Sequence, residues 1–93
     1  MIGMDLQITM MDDAEHVVPI TYGVACRWED ANPGLSPKAF LEDVKFKPFC
    51  RLAYEALKSS NITVKAWPQF IDTVKEINWV PKEPKEQRTT TST

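Results

Sequence analysis

The stretch KPFCRLAYEALKSSN, residues 47 to 61, admits one kind of local structure. Phe49, Leu52, Ala53, Ala56 and Leu57 recur at the i, i+3, i+4, i+7, i+8 spacing of an amphipathic helix. Pro48 suits a first helical turn, where its missing N–H costs nothing, and Ser59, Ser60 and Asn61 close the segment. At about 100° per residue, Cys50 and Tyr54 flank the apolar stripe, while Arg51, Glu55 and Lys58 face away from it. Any fold for this chain has to cover that stripe.

Little chain is available to do so. Of 93 residues, the last thirteen (PKEPKEQRTTTST, 81 to 93) lack apolar side chains and cannot bury surface to offset their ordering entropy. A single domain over residues 1–80 with a disordered polar tail at 81–93 is the expectation. A core built from about 80 residues leaves only a few kcal/mol of net stability. Disulfides are a poor source of more. The opening MIGMDLQITMMDDAEH has no basic region before an apolar run, so a reduced cytoplasmic protein with Cys26 and Cys50 as thiols is expected. No apolar run approaches a membrane span. Oligomerisation or a partner is the expected source of added stability.

Ahead of the helix, DLQITMMDDAEHVVPITY reads as a β-hairpin over about 5–22. Leu6, Ile8 and Met10 alternate with polar residues, DDAE supplies the turn, and Pro19 assigns the second strand to an edge. GVACRWEDA (about 23–31) reads as a short helix with Val24 and Trp28 on one face, ended by Asn32-Pro33-Gly34. Ser36 as N-cap and Pro37 at the first position predict a helix over about 37–44, and the central helix is expected over about 48–59. In VKAWPQFIDTVKEINWV, Ala66, Phe70, Val74 and Ile77 fit a helical stripe over about 66–79, with Trp79 near the opposite side. The fold expected is mainly α (α+β): three to four helices behind an N-terminal hairpin. No internal repeat is present.

The formal net charge is −2, and Lys45 and Lys47 sit beside Glu42 and Asp43. No basic stripe exists to displace counterions from phosphates, which argues against nucleic acid as a partner. Cys50 with the single histidine, His16, makes a weak nucleophile–base pair, and a thiolate needs a positive setting that Arg51 does not face. A small apolar packing role is the simpler reading. His16, Cys26 and Cys50 lack the spacing of a zinc site. Asp12, Asp13 and Glu15 lack the ligand alternation of a calcium loop and suit a solvated turn. The adjacent pairs Glu29–Asp30 and Glu42–Asp43 diverge on a helix, and three scattered glycines build no phosphate cradle. The residues give no reason to expect an enzyme, a metal or a cofactor.

The rings carry more information. Three Trp, four Phe and two Tyr are many for so small a body. Most must be core. Phe46, in the VKFKP link, and Trp79, beside the tail, are the rings expected to stay exposed; Trp79 could equally fold back and cap the bundle. Phe46, Tyr54 and Trp79 are the candidate partner-binding residues.

In order, these features resemble the tail assembly chaperones of long, flexible-tailed bacteriophages. Trp28-Glu29-Asp30-Ala31 matches a "WE-x-A" segment, and Cys50 to Leu57 matches an aromatic–Leu–Ala–aromatic–x–Ala–Leu helix, with cysteine at the first aromatic place. WPQFIDTVKEI matches the helix that follows after a short turn. The resemblance covers residues 20 to 80. It implies a non-enzymatic factor in the host cell cytoplasm that keeps the long helical tape measure protein soluble and is absent from the mature virion. The implied partners are the tape measure protein, other copies of the chain, and a longer form made by translational frameshifting. A small head–tail connector or adaptor that stays in the virion is the alternative reading, and a small redox protein using Cys50 a third.

Overall fold

The computed structural model describes residues 3 to 81; of the expected tail, all but its first residue lies outside the described residues. Strands β1 (Met4–Met10) and β2 (Glu15–Pro19) form the hairpin. Helices α1 (Tyr22–Ala31), α2 (Pro37–Glu42) and α3 (Phe46–Ser59) follow, then a single turn α4 (Trp67–Phe70), a 3₁₀ turn (Ile71–Thr73) and strand β3 (Val74–Pro81).

That last strand corrects the expected fold class. The protein is an α+β fold with a three-stranded antiparallel sheet in the order β2-β1-β3, not a helical bundle behind a lone hairpin. The segment expected as one helix over 66–79 is helical only to Phe70 and crosses to extended backbone after Thr73. Two hydrogen bonds mark the change: the Thr73 hydroxyl donates to the Phe70 carbonyl (2.7 Å), and the Met11 amide donates to the Thr73 carbonyl (2.8 Å). The physical reason is tertiary. A two-stranded hairpin leaves β1 with an unpaired edge and is marginal alone. Pairing β3 along the whole of β1 satisfies that edge and turns Ile77 and Trp79 inward beside Ile8 and Leu6. Val74, Ile77, Trp79 and Val80 are also good strand formers.

The inner face of the sheet presents two rows, Val18–Leu6–Trp79 and His16–Ile8–Ile77. Leu6 and Ile8 are fully buried. At the hairpin tip Asp13 takes a left-handed backbone (φ 70°), and the Asp12 carboxylate accepts from the Ala14 amide (3.0 Å). The acidic cluster is thus a turn, and Asp13 ties it to β3 through Lys75 (2.8 Å).

Each helix has a local cause. Thr21 caps α1 through the Val24 amide and Ser36 caps α2 through the Ala39 amide (3.1 Å). Asn32 closes α1 by donating its side-chain amide to the Trp28 carbonyl (2.8 Å). At the end of α3, Asn61 adopts φ 63°; its amide reaches the Lys58 carbonyl and the Ile62 amide reaches the Leu57 carbonyl, both at 3.0 Å. This is a Schellman closure with asparagine in the left-handed place.

α3 is the axis of the molecule. Leu52 through Leu57 are all buried, so α1, the sheet and the 60–70 segment together surround the helix. Trp28 locks α1 to it: the ring is fully buried, its Nε1 donates to the Pro48 carbonyl (2.9 Å), and it packs on Phe40 of α2 at 4.9 Å. Trp28→Phe should lower unfolding free energy by about 2 kcal/mol in urea titration, from the lost hydrogen bond and the partial cavity.

Candidate binding groove

The stripe of α3 continues beyond the core. Phe46, Phe49, Cys50 and Ala53 keep the helical spacing, but only the last is fully covered. α3 begins at Phe46, not at Pro48, because a proline is also tolerated at the third position, where the N–H has no intrahelical partner. Its N-cap, Lys45, makes no side-chain capping bond and pairs with Asp43 in solvent (3.0 Å). Phe46 is therefore held on a formed helical turn with 96% of its surface exposed.

Facing it across an open groove of about 600 Å³ are Ile71, Val74 and Ile77. Phe49 and Cys50 line the helix side, and Lys47, Lys75 and Glu76 stand at the margin. The walls are apolar and the charges around them are mixed. Such a trough suits an apolar side-chain row on another chain and offers no cluster of donors to orient a small polar substrate.

The three candidate partner residues separate in space. Phe46 stands on the groove. Trp79 is half-buried behind it, stacked on Phe49 at 5.0 Å and edge-on to Phe40 at 6.1 Å, so its ring caps the core. Tyr54 is buried, 5.2 Å from both Trp67 and Phe70. Its environment also corrects the reading of Arg51 and Glu55 as outward-facing, while Lys58 does face solvent. Glu55 is only 3% exposed, held by Arg51 (3.1 Å) with Lys58 at 3.9 Å, and the Arg51 guanidinium lies over the Tyr54 and Trp67 rings. The loop after α3 brings Trp67 over this face, which the helix alone does not reveal. Ile71, Val74 and Ile77 were equally hidden as groove residues, because they oppose α3 only once β3 is a strand. The signal for the helix side was present: Phe46 extends the stripe by one turn.

The chemistry of the thiols is quiet. Cys50 lines the groove, whereas His16 lines a separate hollow with Met10, Met11 and Leu57, and Cys26 is exposed on α1. Burial pushes the Cys50 thiol above its ordinary value, which favours the neutral form. Among the described residues no three metal-ligating side chains gather, and no helix is long and apolar enough to cross a membrane.

Comparison with known protein families, with curated proteins and with solved structures finds no match.

Two measurements check this account. Alkylation at pH 8 should modify Cys26 well before Cys50, since the thiolate is the reactive form and burial disfavours it at Cys50. The same shift means Cys50 favours the fold only while neutral, so its contribution is lost as pH rises through its raised value. Arg51→Ala should cost about 2 kcal/mol in chemical denaturation, because Glu55 keeps only the more distant Lys58.

Proposed function

We propose that this chain is a phage tail assembly chaperone that holds the tape measure protein in soluble form, and that the groove between α3 and β3 receives the client. The exposed Phe46 above an apolar trough is the observation that carries the reading. A long helical client presents apolar residues at i, i+3, i+4 and i+7, and an apolar groove is the recognition surface such a row needs. Covering a ring like Phe46 is worth about 2 kcal/mol. One such contact is weak, and that suits the task. Many copies along one client give avidity, while each copy remains easy to displace when tube subunits arrive.

Co-expression with the tape measure protein tests the proposal. The wild-type chain should bring the client into the soluble fraction and copurify with it. Phe46→Asp should abolish copurification with an unfolding free energy within about 0.5 kcal/mol of wild type, because the ring is 96% exposed; Ile71→Asp should abolish it too, at a cost of about 1 kcal/mol because that side chain is partly covered. A client that stays insoluble beside abundant wild-type protein would overturn the reading. Mass spectrometry of purified virions should find the chain absent; a fixed copy number there would favour a head–tail connector instead.

A further inference from the structure

The two outer strands of the sheet are finished differently. The Ile20 amide donates to the Met4 carbonyl (3.1 Å) and the Met10 amide to the Ala14 carbonyl (2.8 Å), so even-numbered residues of β1 turn their backbone groups toward β2 and odd-numbered ones toward β3. Leu6 opposite Val18 then engages the Val18 backbone and leaves Val17 and Pro19 on the outer edge of β2. Pro19 has no N–H to offer there. β2 is also short, at five residues. This edge carries the usual protection against pairing with another chain.

β3 keeps such features to its two ends: the register shifts opposite Thr9 and Met10, leaving Lys75 out of the pairing, and Pro81 closes the strand, so the stretch from Glu76 to Val80 between them is regular and unprotected. Gln7 opposite Asn78 and Thr9 opposite Glu76 engage the backbone of those two residues, so the amides and carbonyls of Ile77 and Trp79 point out of the sheet. The strand is eight residues long, and its proline stands last. The single lysine, Lys75, is drawn to Asp13 at 2.8 Å, toward the β1–β2 turn and off the open edge. The apolar groove runs alongside the same strand.

We infer that β3 is a self-association edge: two copies pair antiparallel through β3 about a two-fold axis at Ile77, forming a continuous six-stranded sheet. Charge selects this register. With the axis at Ile77, Ile77 exchanges both backbone hydrogen bonds with its own copy, and Glu76 lies opposite Asn78 of the second copy, a carboxylate against an amide donor. An axis at Glu76 would instead oppose two like carboxylates. An axis at Asn78 would place Lys75 against Pro81, which lacks a donor. The chain's own residues 82–93 are a poor occupant, since they offer no apolar side chain to cover Phe46 and Ile71 beside the strand. Because Ile77 lines the groove and sits on the axis, the two grooves meet there. The pairing needs no client, so it stands or falls separately from the chaperone reading.

Sedimentation of the full chain over a concentration series, with residue-resolved amide exchange, tests the inference. The wild type should form dimers, and the Ile77 and Trp79 amides should become protected as dimer forms, while those of Glu76 and Asn78 are protected throughout. Asn78→Asp places two carboxylate pairs across the interface and should weaken dimerisation roughly tenfold, and adding Glu76→Lys should restore it by making both pairs opposite in charge. A chain that stays monomeric at every concentration overturns the proposal. So does a dimer in which Ile77 and Trp79 exchange freely, or one indifferent to Asn78→Asp. Protection of those two amides in the monomer would put another segment of the same chain on the edge, and protection only on adding a tape measure fragment would put the client there; either result also overturns self-pairing.

Discussion

The rest of the structure follows from one demand: the middle of α3 has to be covered on every side. Six successive residues, Leu52 to Leu57, are buried, whereas a helix on the surface of a small domain ordinarily buries one stripe. No single layer can satisfy that. α1 covers one side through Trp28, the sheet covers another, and the chain between α3 and β3 must bring Trp67 and Phe70 over the third. The Schellman turn at Asn61 reverses the chain after α3, and the sheet needs its third strand because two strands would leave Ile77 and Trp79 nowhere to pack.

Burying the middle of α3 on every side forces a charge indoors. Glu55 lies on the side the Trp67 loop closes, and replacing its hydration requires partners on the same helix: Arg51 one turn before it and Lys58 three residues after. The arrangement also uses the aromatic surplus. Arg51 is sandwiched against Tyr54 and Trp67, so its guanidinium is shared between a carboxylate and two ring faces. Tyr54, which looked like spare binding surface, is therefore committed to holding an ion pair under cover, and Trp79 is committed to capping the core on Phe49 and Phe40. Of the three candidate partner residues, Phe46, one turn past the end of the core, alone stays exposed.

Local signals made the hairpin, the capped helix starts and the α3 stripe readable in the sequence, because turn chemistry, caps and periodicity act within a few residues. Residues 66 to 79 show where that reach ends. Ala66, Phe70, Val74 and Ile77 satisfy a helical period, and Val74, Ile77, Trp79 and Val80 satisfy a strand. The unpaired edge of β1, some seventy residues earlier in the chain, decides between them. The same long-range choice hid half of the groove, since its second wall exists only when Val74 and Ile77 stand on a strand beside α3. Phe46 was legible as an exposed ring from its position outside the core, and Tyr54 was not, because its cover comes from a loop.

The groove and the open strand edge are two results of one shortage. The described residues surround the middle of a fourteen-residue helix but leave its N-terminal turn open, where α2 is short and Phe40 covers only the inner side. Among the described residues, what remains uncovered is a helix end bearing Phe46 and, beside it, a strand with no partner on its outer edge. A surface left open in this way invites cover from outside, and the two kinds of cover differ in chemistry: the groove offers side-chain contact to an apolar row, whereas the β3 edge offers backbone hydrogen bonds. One protein can therefore use the edge to meet its own copy and keep the groove for a client, because neither contact consumes the atoms the other requires.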